Sequence, residues 1–227
     1  MKILKFIKYI MPISFNNTVL VNDKGKNKRI YWNCQIPNGL NINFKGINNH
    51  IIIPRKKCFK NCVFDIEGNN ADIEIKETNK KIKKCHIHTG GGDNQRILIG
   101  TNFSCEECGF SLWDENATII IGDDCMFASQ IIFLASDGHT IYTTIDKKCI
   151  NKTKTITIRD HVWIGRNTHV LKGSYIEKNC IVGLGSIVNK QFNESNAIIA
   201  GNPAKIVKHN VCWDIKTTQE YCKKGNK

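Results

Sequence analysis

A six-residue period in the C-terminal half limits the fold more than any other feature of the sequence. Aliphatic side chains recur at every sixth position, and a small side chain follows each of the first four of them four residues later. The aliphatic residues are Ile164, Val170, Ile176, Val182 and Val188, and the small ones are Thr168, Ser174, Cys180 and Ser186. No α-helix has this period, and antiparallel strands need more regular polar turns. The pattern predicts an all-β solenoid, in which each aliphatic residue fills a triangular coil and each small residue fits at a bend.

Upstream the period is less regular. Ile99 and Ile121 each precede a glycine, as at the start of a coil, and Phe127 and Phe133 continue the six-residue step. The 22 positions from Ile99 to Ile121 exceed three hexapeptides, so a small corner insertion is required. The segments 66–68 and 72–75 indicate earlier coils without a clear register. We expect residues 1–60 to form a cap or lead-in, 61–208 the β-helix, and 209–227 a short helical tail.

One long break interrupts the repeat. After Phe133 and His139 the period is lost over 140–155, and it resumes at Ile158. An irregular segment of this length favours a functional loop over a simple connector. His139 lies at the base of this predicted loop, whose residues Tyr142, Asp146, Lys147 and Lys148 do not identify an acceptor.

The charge balance favours an anionic partner. The chain has 33 basic and 20 acidic residues, a formal net charge of +13. Nucleic acid, an acidic membrane surface, an acidic glycan and a phosphate-bearing cofactor all fit this charge, as does a solvated lysine-rich surface over 76–84 and 222–227. No helix-turn-helix, zinc finger or aromatic-basic sheet motif is present, so we expect no nucleic acid partner.

The N-terminal sequence and the cysteines indicate a reducing cytoplasm. Residues 1–13 are apolar with interspersed lysines, have no small-residue cleavage site and are too short to span a bilayer, so we expect a lead-in helix or a membrane-surface contact. Eleven cysteines would form a disulfide scaffold only in a short secreted chain.

Two cysteine-containing segments are candidate metal sites. Cys105 and Cys108 form one C-x-x-C pair, but a zinc ribbon needs a second pair, so we interpret these thiols as small buried hydrophobes. Strand alternation removes Cys85 from the face that His86 and His88 share.

Four motifs in a fixed order resemble the hexapeptide-repeat acetyltransferases, over residues 99–208. They are Ser136-Asp137-Gly138-His139, Val162-Trp163-Ile164-Gly165, Val182-Gly183-Leu184-Gly185-Ser186-Ile187-Val188 and Ala200-Gly201-Asn202-Pro203-Ala204-Lys205. The similar branch includes galactoside, maltose, streptogramin-type and capsule or polysialic acid acetyltransferases. The resemblance implies a left-handed parallel β-helix, a homotrimer with clefts at subunit interfaces, and acetyl-CoA as co-substrate without a metal.

The resemblance assigns the chemistry to His139 and Trp163. Their separation of 24 residues matches that between the catalytic histidine and the W-I-G tryptophan of the family. Acyl transfer to a hydroxyl needs a base, and histidine titrates near neutrality. Trp163 would wall the acceptor site, because sugar rings stack on aromatic surfaces. The alternatives are a histidine that only caps a corner and a tryptophan that only packs the coil.

Supporting roles follow for two further residues. Asp137 would orient the imidazole or contact acceptor hydroxyls. The amide of Arg166, which follows W-I-G, would stabilise the oxyanion, or its side chain would contact an acidic acceptor or a CoA phosphate.

The resemblance also implies a cofactor surface. Gly183 and Gly185 would let CoA approach the coil closely, and the pantetheine arm would run along Leu184 and Asn189. Three lysines, Lys190, Lys205 and Lys208, would meet the CoA phosphates.

We therefore expect an O-acetyltransferase for a cell-envelope carbohydrate such as a capsule or O-antigen. Its basic surface would suit an acidic glycan or a lipid-linked precursor at the inner membrane face. The alternatives are an antibiotic or nucleotide-linked amino sugar acetyltransferase, a scaffold without a base, and a γ-carbonic anhydrase, for which His161 and His169 lack the third zinc ligand.

Overall fold

The computed structural model describes residues 13, 16–23, 25–54 and 57–224. Its strands form three sheets along the sides of a left-handed parallel β-helix. The first sheet contains β1 (Thr18–Asp23), β2 (Lys26–Ile30), β4 (His50–Pro54), β7 (Asp72–Ile75), β10 (Arg96–Ile99), β13 (Thr118–Ile121), β16 (Ile156–Ile158), β19 (Tyr175–Ile176) and β22 (Gln191–Phe192). The second contains β5 (Phe59–Lys60), β8 (Ile82–Lys83), β11 (Ser104–Cys105), β14 (Met126–Phe127), β17 (Trp163–Ile164), β20 (Ile181–Val182), β23 (Ile198–Gly201) and β24 (Ala204–Lys208). The third contains β3 (Leu40–Phe44), β6 (Cys62–Ile66), β9 (Cys85–Thr89), β12 (Cys108–Leu112), β15 (Ile131–Leu134), β18 (His169–Leu171) and β21 (Ile187–Val188). A 3-10 turn spans Asn33–Gln35, and α1 spans Thr218–Lys224.

The six-residue period from Ile164 to Val188 is confirmed by burial. All five aliphatic residues have no exposed surface, and the four small residues between them are at most 1% exposed. Aromatic rings fill the middle coils, with Phe133 stacked between Phe110 and Phe127 at centroid distances of 4.9 and 5.3 Å. The six-residue repeat therefore marks the side chains that are packed in the core.

The earlier coils are longer than three hexapeptides. Residues Arg96 and Thr118 are register partners 22 positions apart, whereas Thr157 and Tyr175 are 18 apart. The additional residues lie at the corner between the third and first sheets. Backbones approach closely there, because a Cβ on Gly68 would meet the carbonyl oxygen of Gly92 at 1.9 Å.

Asparagine occupies many of the bends. Except for glycine, asparagine tolerates positive φ better than most residues, and positive φ lets the chain turn between sheets without a glycine. The corner asparagines with φ between 55° and 61° include Asn61, Asn70, Asn94, Asn102, Asn116, Asn167, Asn179 and Asn196. The asparagine content thus reflects the solenoid geometry in addition to surface composition.

Parallel stacking begins earlier than residue 61. Strands β3 and β4, both within the segment expected to be a cap, pair in parallel with β6 and β7. The hairpin of β1 and β2 is antiparallel and lies at the N-terminal edge of the first sheet. The hexapeptide period does not reveal these coils, because their strands are longer and their corners carry extra residues.

The remaining expectations concern the two ends. The predicted contact of residues 1–13 lies, apart from Ile13, outside the described residues. The second sheet ends in the hairpin of β23 and β24, with Asn202 and Pro203 in the turn, and α1 follows in the tail. Among the described residues, no helix is long and apolar enough to cross a membrane.

Candidate active site

The irregular segment 135–155 leaves the coil at the corner between the third and first sheets. Strand β15 ends at Leu134 and β16 begins at Ile156, so the loop occupies the corner that carries the extra residues in the earlier coils. Its outer part is a small hairpin, in which Ile150 N–H donates to Ile141 O at 2.9 Å and Tyr142 bridges to Cys149. Ile145 at its tip is 96% exposed.

Asn151 holds the base of the loop around His139. Its side-chain amide donates to the His139 carbonyl oxygen and to Asp137 Oδ2, both at 2.8 Å, and its Oδ1 accepts the Ile141 N–H at 2.8 Å. One asparagine therefore holds the backbone of His139 and Ile141 and the side chain of Asp137, while the His139 side chain stays exposed. No motif in the sequence indicates Asn151; its place near the end of the irregular segment is the available signal.

Asp137 takes part in the same set of hydrogen bonds at the base of the loop. Its Oδ2 accepts a short hydrogen bond from Lys172 Nζ, which also donates to the Asn151 carbonyl. The bond from Lys172 and that from Asn151 hold the pKa of the Asp137 carboxyl below its ordinary value of 3.8. Asn151 lies in the loop and Lys172 follows β18 of the adjacent coil, so the contacts of this carboxylate position the loop on the coil.

Trp113 supports the turn before His139 from the preceding coil. Its backbone N–H donates to Ser136 Oγ at 3.2 Å, and its ring lies 3.9 Å from the place of a Cβ on Gly138. The ring is 44% exposed and meets the His88 ring edge to face at 4.6 Å. An open aromatic surface therefore adjoins the histidine turn.

Trp163 lies on the outer face of the second sheet with another tryptophan beside it. Trp163 is 38% exposed, and its ring centroid is 6.2 Å from that of Trp213 in the C-terminal tail. Trp213 stacks on the His161 ring at 4.4 Å and donates its Nε1–H to the His161 carbonyl at 2.9 Å. The tail thus builds an aromatic surface next to Trp163 that the motifs did not indicate.

The predicted site residues fall into two groups in one chain. One group lies on the second sheet or at its corner with the third: Trp163, Arg166, Gly183, Leu184, Gly185, Lys205 and Lys208. The other lies at the corner between the third and first sheets: Asp137, His139, Asn189 and Lys190. In a three-sided helix this corner is opposite the second sheet. The topology of one chain therefore does not bring His139 and Trp163 together.

In the first group, the corner at Gly183–Gly185 is held by a backbone hydrogen bond to the preceding coil. The Gly185 N–H donates to the Arg166 carbonyl at 2.8 Å, and Gly185 has a φ of +70°, which favours glycine. Leu184 between the two glycines is 80% exposed. This corner presents the apolar side chain of Leu184 to solvent, next to the exposed Arg166.

The second group borders a basic cleft of about 640 Å³. Lys154, Lys172 and Lys190 line it together with Tyr175 and Asn189. The cleft adjoins the loop base directly, because Lys172 also binds Asp137. Lys154 and Lys172 were missed in the sequence because no motif contains them.

The site and the fold define an acyltransferase of the left-handed β-helix class, and comparison with known proteins specifies it. A polysialic acid O-acetyltransferase of Neisseria meningitidis is 31% identical over 201 residues, covering 88% of this chain and 91% of the relative. Another, from Escherichia coli O1:K1 / APEC, is 38% identical over 60% of this chain, which matches only 42% of that protein's length. The solved polysialic acid O-acetyltransferase OatWY is 26% identical, with a TM-score of 0.52 over 93% of this chain and 96% of that one. No protein-family model matches the chain. The chain belongs to the hexapeptide-repeat O-acetyltransferases.

Proposed function

We propose that this protein transfers an acetyl group from acetyl-CoA to a hydroxyl of an acidic cell-envelope carbohydrate. The observation that carries the proposal is His139, held on a braced loop beside a basic cleft. The relatives named as polysialic acid O-acetyltransferases support the same class of acceptor. The reaction would take place in the cytoplasm, where acetyl-CoA is available.

His139 is the general base of the proposed reaction. Its imidazole accepts the proton of the acceptor hydroxyl as the oxygen attacks the thioester carbonyl, and the electron pair of the C=O bond moves to oxygen. The tetrahedral intermediate collapses with cleavage of the C–S bond, and the imidazolium returns the proton to the CoA sulfur. The Arg166 backbone N–H is our candidate oxyanion donor.

The basic cleft supports an anionic acceptor. Lys154 and Lys190 give it positive charge, and Lys172, which binds Asp137, connects it to the loop base. An acidic sugar residue that neighbours the acetylated one would place its carboxylate against these ammonium groups. A neutral acceptor would gain nothing from this charge.

The complete site is formed by two subunits of a trimer. His139 and Trp163 lie on opposite sides of one coil, so a neighbouring copy must supply the second group. The hairpin of the loop has exposed apolar residues that a neighbour would cover, among them Ile141, Tyr142, Ile145 and Ile150. His139 of one chain would then face Trp163 and the Gly183–Gly185 corner of the next.

Mixed trimers test this arrangement. The variants His139→Ala and Trp163→Ala are each inactive in the proposal, but refolding them together in equal amounts should restore about a quarter of the sites in a cyclic trimer. Each variant refolded alone is the control. Absence of recovery in mixtures shown to exchange subunits would place both residues of each site in one chain.

A panel of acceptors tests the substrate class. Release of the CoA thiol is measured with an α2,8-linked sialic acid polymer, a neutral polysaccharide and an amino sugar nucleotide. We expect turnover with the acidic polymer that weakens with salt. Turnover only with the neutral or the amino acceptor would contradict the proposal.

A further inference from the structure

Three buried thiols meet at one point in the core, on the inside of the corner between the second and third sheets. The Sγ atoms of Cys85, Cys105 and Cys108 all lie within 4.8 Å of one another, and each residue is at most 2% exposed. No other group of three or more potential metal-binding side chains of this compactness occurs in the part of the chain that the structure describes. The cluster joins the C-x-x-C pair to a cysteine 20 residues earlier.

The solenoid explains how these residues meet. Cys105 ends β11 in the second sheet, and Cys108 begins β12 in the third, so the pair spans the inside of one corner. Cys85 is the register partner of Cys108 in the adjacent strand. Only the stacking of the coils shows that the thiol of Cys85 lies next to the Cys105–Cys108 pair.

Simple packing explains other buried cysteines more readily than these three. Cys125 and Cys180 each donate their thiol to a carbonyl oxygen of an adjacent coil at 3.2 Å. Such isolated thiols serve as small hydrophobic residues. Cys105 makes a longer contact of this kind, to the Lys83 carbonyl at 3.5 Å, but its sulfur also converges with those of Cys85 and Cys108, all within 4.8 Å of one another.

We propose that Cys85, Cys105 and Cys108 form a three-coordinate site for a soft monovalent cation, with Cu(I) as the best match. Thiolate ligands select Cu(I) or zinc, and a structural zinc ion takes four ligands. The described residues supply three. The site is structural and separate from acyl transfer.

The outside of the same corner supplies the compensating charge. A cleft of about 390 Å³ is lined by Lys60, Lys83, Lys84 and Arg166 and by the carboxylates Glu106 and Glu107. These groups have a net charge of +2. Binding converts Cu⁺ and three thiols into a Cu(I) trithiolate of charge −2 and releases three protons, so the cationic corner offsets the buried charge.

Anaerobic titration of the reduced full-length protein with Cu(I), against a chromophoric chelator, tests the site. We expect one Cu(I) per chain to survive gel filtration, and X-ray absorption to show one shell of three sulfurs. Cys105→Ser and Cys108→Ser should lower the affinity at least 100-fold. The matched control Cys125→Ser, also a buried thiol, should bind like the wild type.

The proposal fails if no stoichiometric Cu(I) is retained, if oxygen or nitrogen scatterers dominate the shell, or if Cys125→Ser loses as much affinity as Cys105→Ser. If the cluster variants do not fold, the wild-type absorption spectrum alone decides between three sulfurs and another ligand set. Acetyl transfer does not enter these readouts, so they are independent of the proposed function.

Discussion

The side-chain amide of Asn151 donates to the carbonyl oxygen of His139 over 2.8 Å, so a residue near the end of the loop holds a residue near its start. The same amide reaches Asp137, which Lys172 binds from the next coil. The histidine turn is therefore tied to the rigid coils, although its loop is irregular. Such positioning is what general-base catalysis requires, because the base must lie within hydrogen-bonding reach of the acceptor.

Replacing Asn151 should loosen the histidine without unfolding the protein. Asn151→Ala removes four side-chain hydrogen bonds at the loop base, to Asp137, His139, Ile141 and the Cys149 thiol, each contributing about 1 kcal/mol or less. We expect kcat for acetyl transfer to fall about tenfold, while the midpoint of thermal unfolding falls by no more than about 10 °C and circular dichroism at room temperature stays as in the wild type. Asn193→Ala, an exposed asparagine outside the loop, is the control. Equal kcat values for the two variants would show that Asn151 does not position His139.

Titration of Asp137 tests its link to Lys172. Because the folded pKa of Asp137 lies below 3.8, its stabilising contribution is present above the unfolded pKa and is lost as the pH falls through the folded pKa. Carboxyl ¹³C shifts should give a midpoint below 3.8, and Lys172→Met should raise it. A wild-type midpoint at or above 3.8, unchanged in the variant, would contradict the ion pair.

Trp213 should stabilise the tail against the second sheet. Trp213→Ala removes the stack on His161 and the bond to the His161 carbonyl, which together contribute about 1–3 kcal/mol to the free energy of unfolding. Trp213→Phe keeps an aromatic ring and should recover part of the loss in urea denaturation. Tyr221→Ala on α1, 61% exposed, serves as the control. If Trp213→Ala is no less stable than Tyr221→Ala, the stack on His161 does not contribute to the free energy of unfolding.

The aromatic column should dominate the stability of the middle coils. Phe133→Ala leaves a cavity between two stacked rings and should lower the free energy of unfolding by about 3–5 kcal/mol. Ile47→Ala, at a position 49% exposed, should change it by less than about 1 kcal/mol. Chemical denaturation compares them, and similar losses would mean that the core does not depend on this column.

The sequence predicted the late coils well because each of their residues follows one packing rule. Ile164 to Val188 carry the six-residue period, and all of these aliphatic positions are buried. The earlier coils advance by 22 to 24 residues, so their period differs and the expected cap at 1–60 includes parallel strands. Long corners with close backbone contacts leave no hexapeptide pattern.

Candidate site residues could be predicted only where they belong to a motif within one continuous segment. His139 and Trp163 stand out through their motifs and their spacing, whereas Asn151 lies in the same loop as His139 but belongs to no motif. Trp113, Lys172 and Trp213 gain their places through stacking of coils distant in sequence. The third thiol of the cysteine cluster was hidden for the same reason. A repeat pattern gives the register of each coil, but side chains at the corners meet according to how many residues each corner holds.

The most direct test of the account is acetyl transfer to an acidic polysaccharide by His139→Ala. Loss of a general base should lower kcat by about 10²–10⁴-fold, while circular dichroism and the oligomeric state stay as in the wild type. His169→Ala, a histidine on the third sheet outside the loop, is the matched control and should keep its activity. Thiol release by the folded His139→Ala variant at the wild-type rate would contradict the central claim.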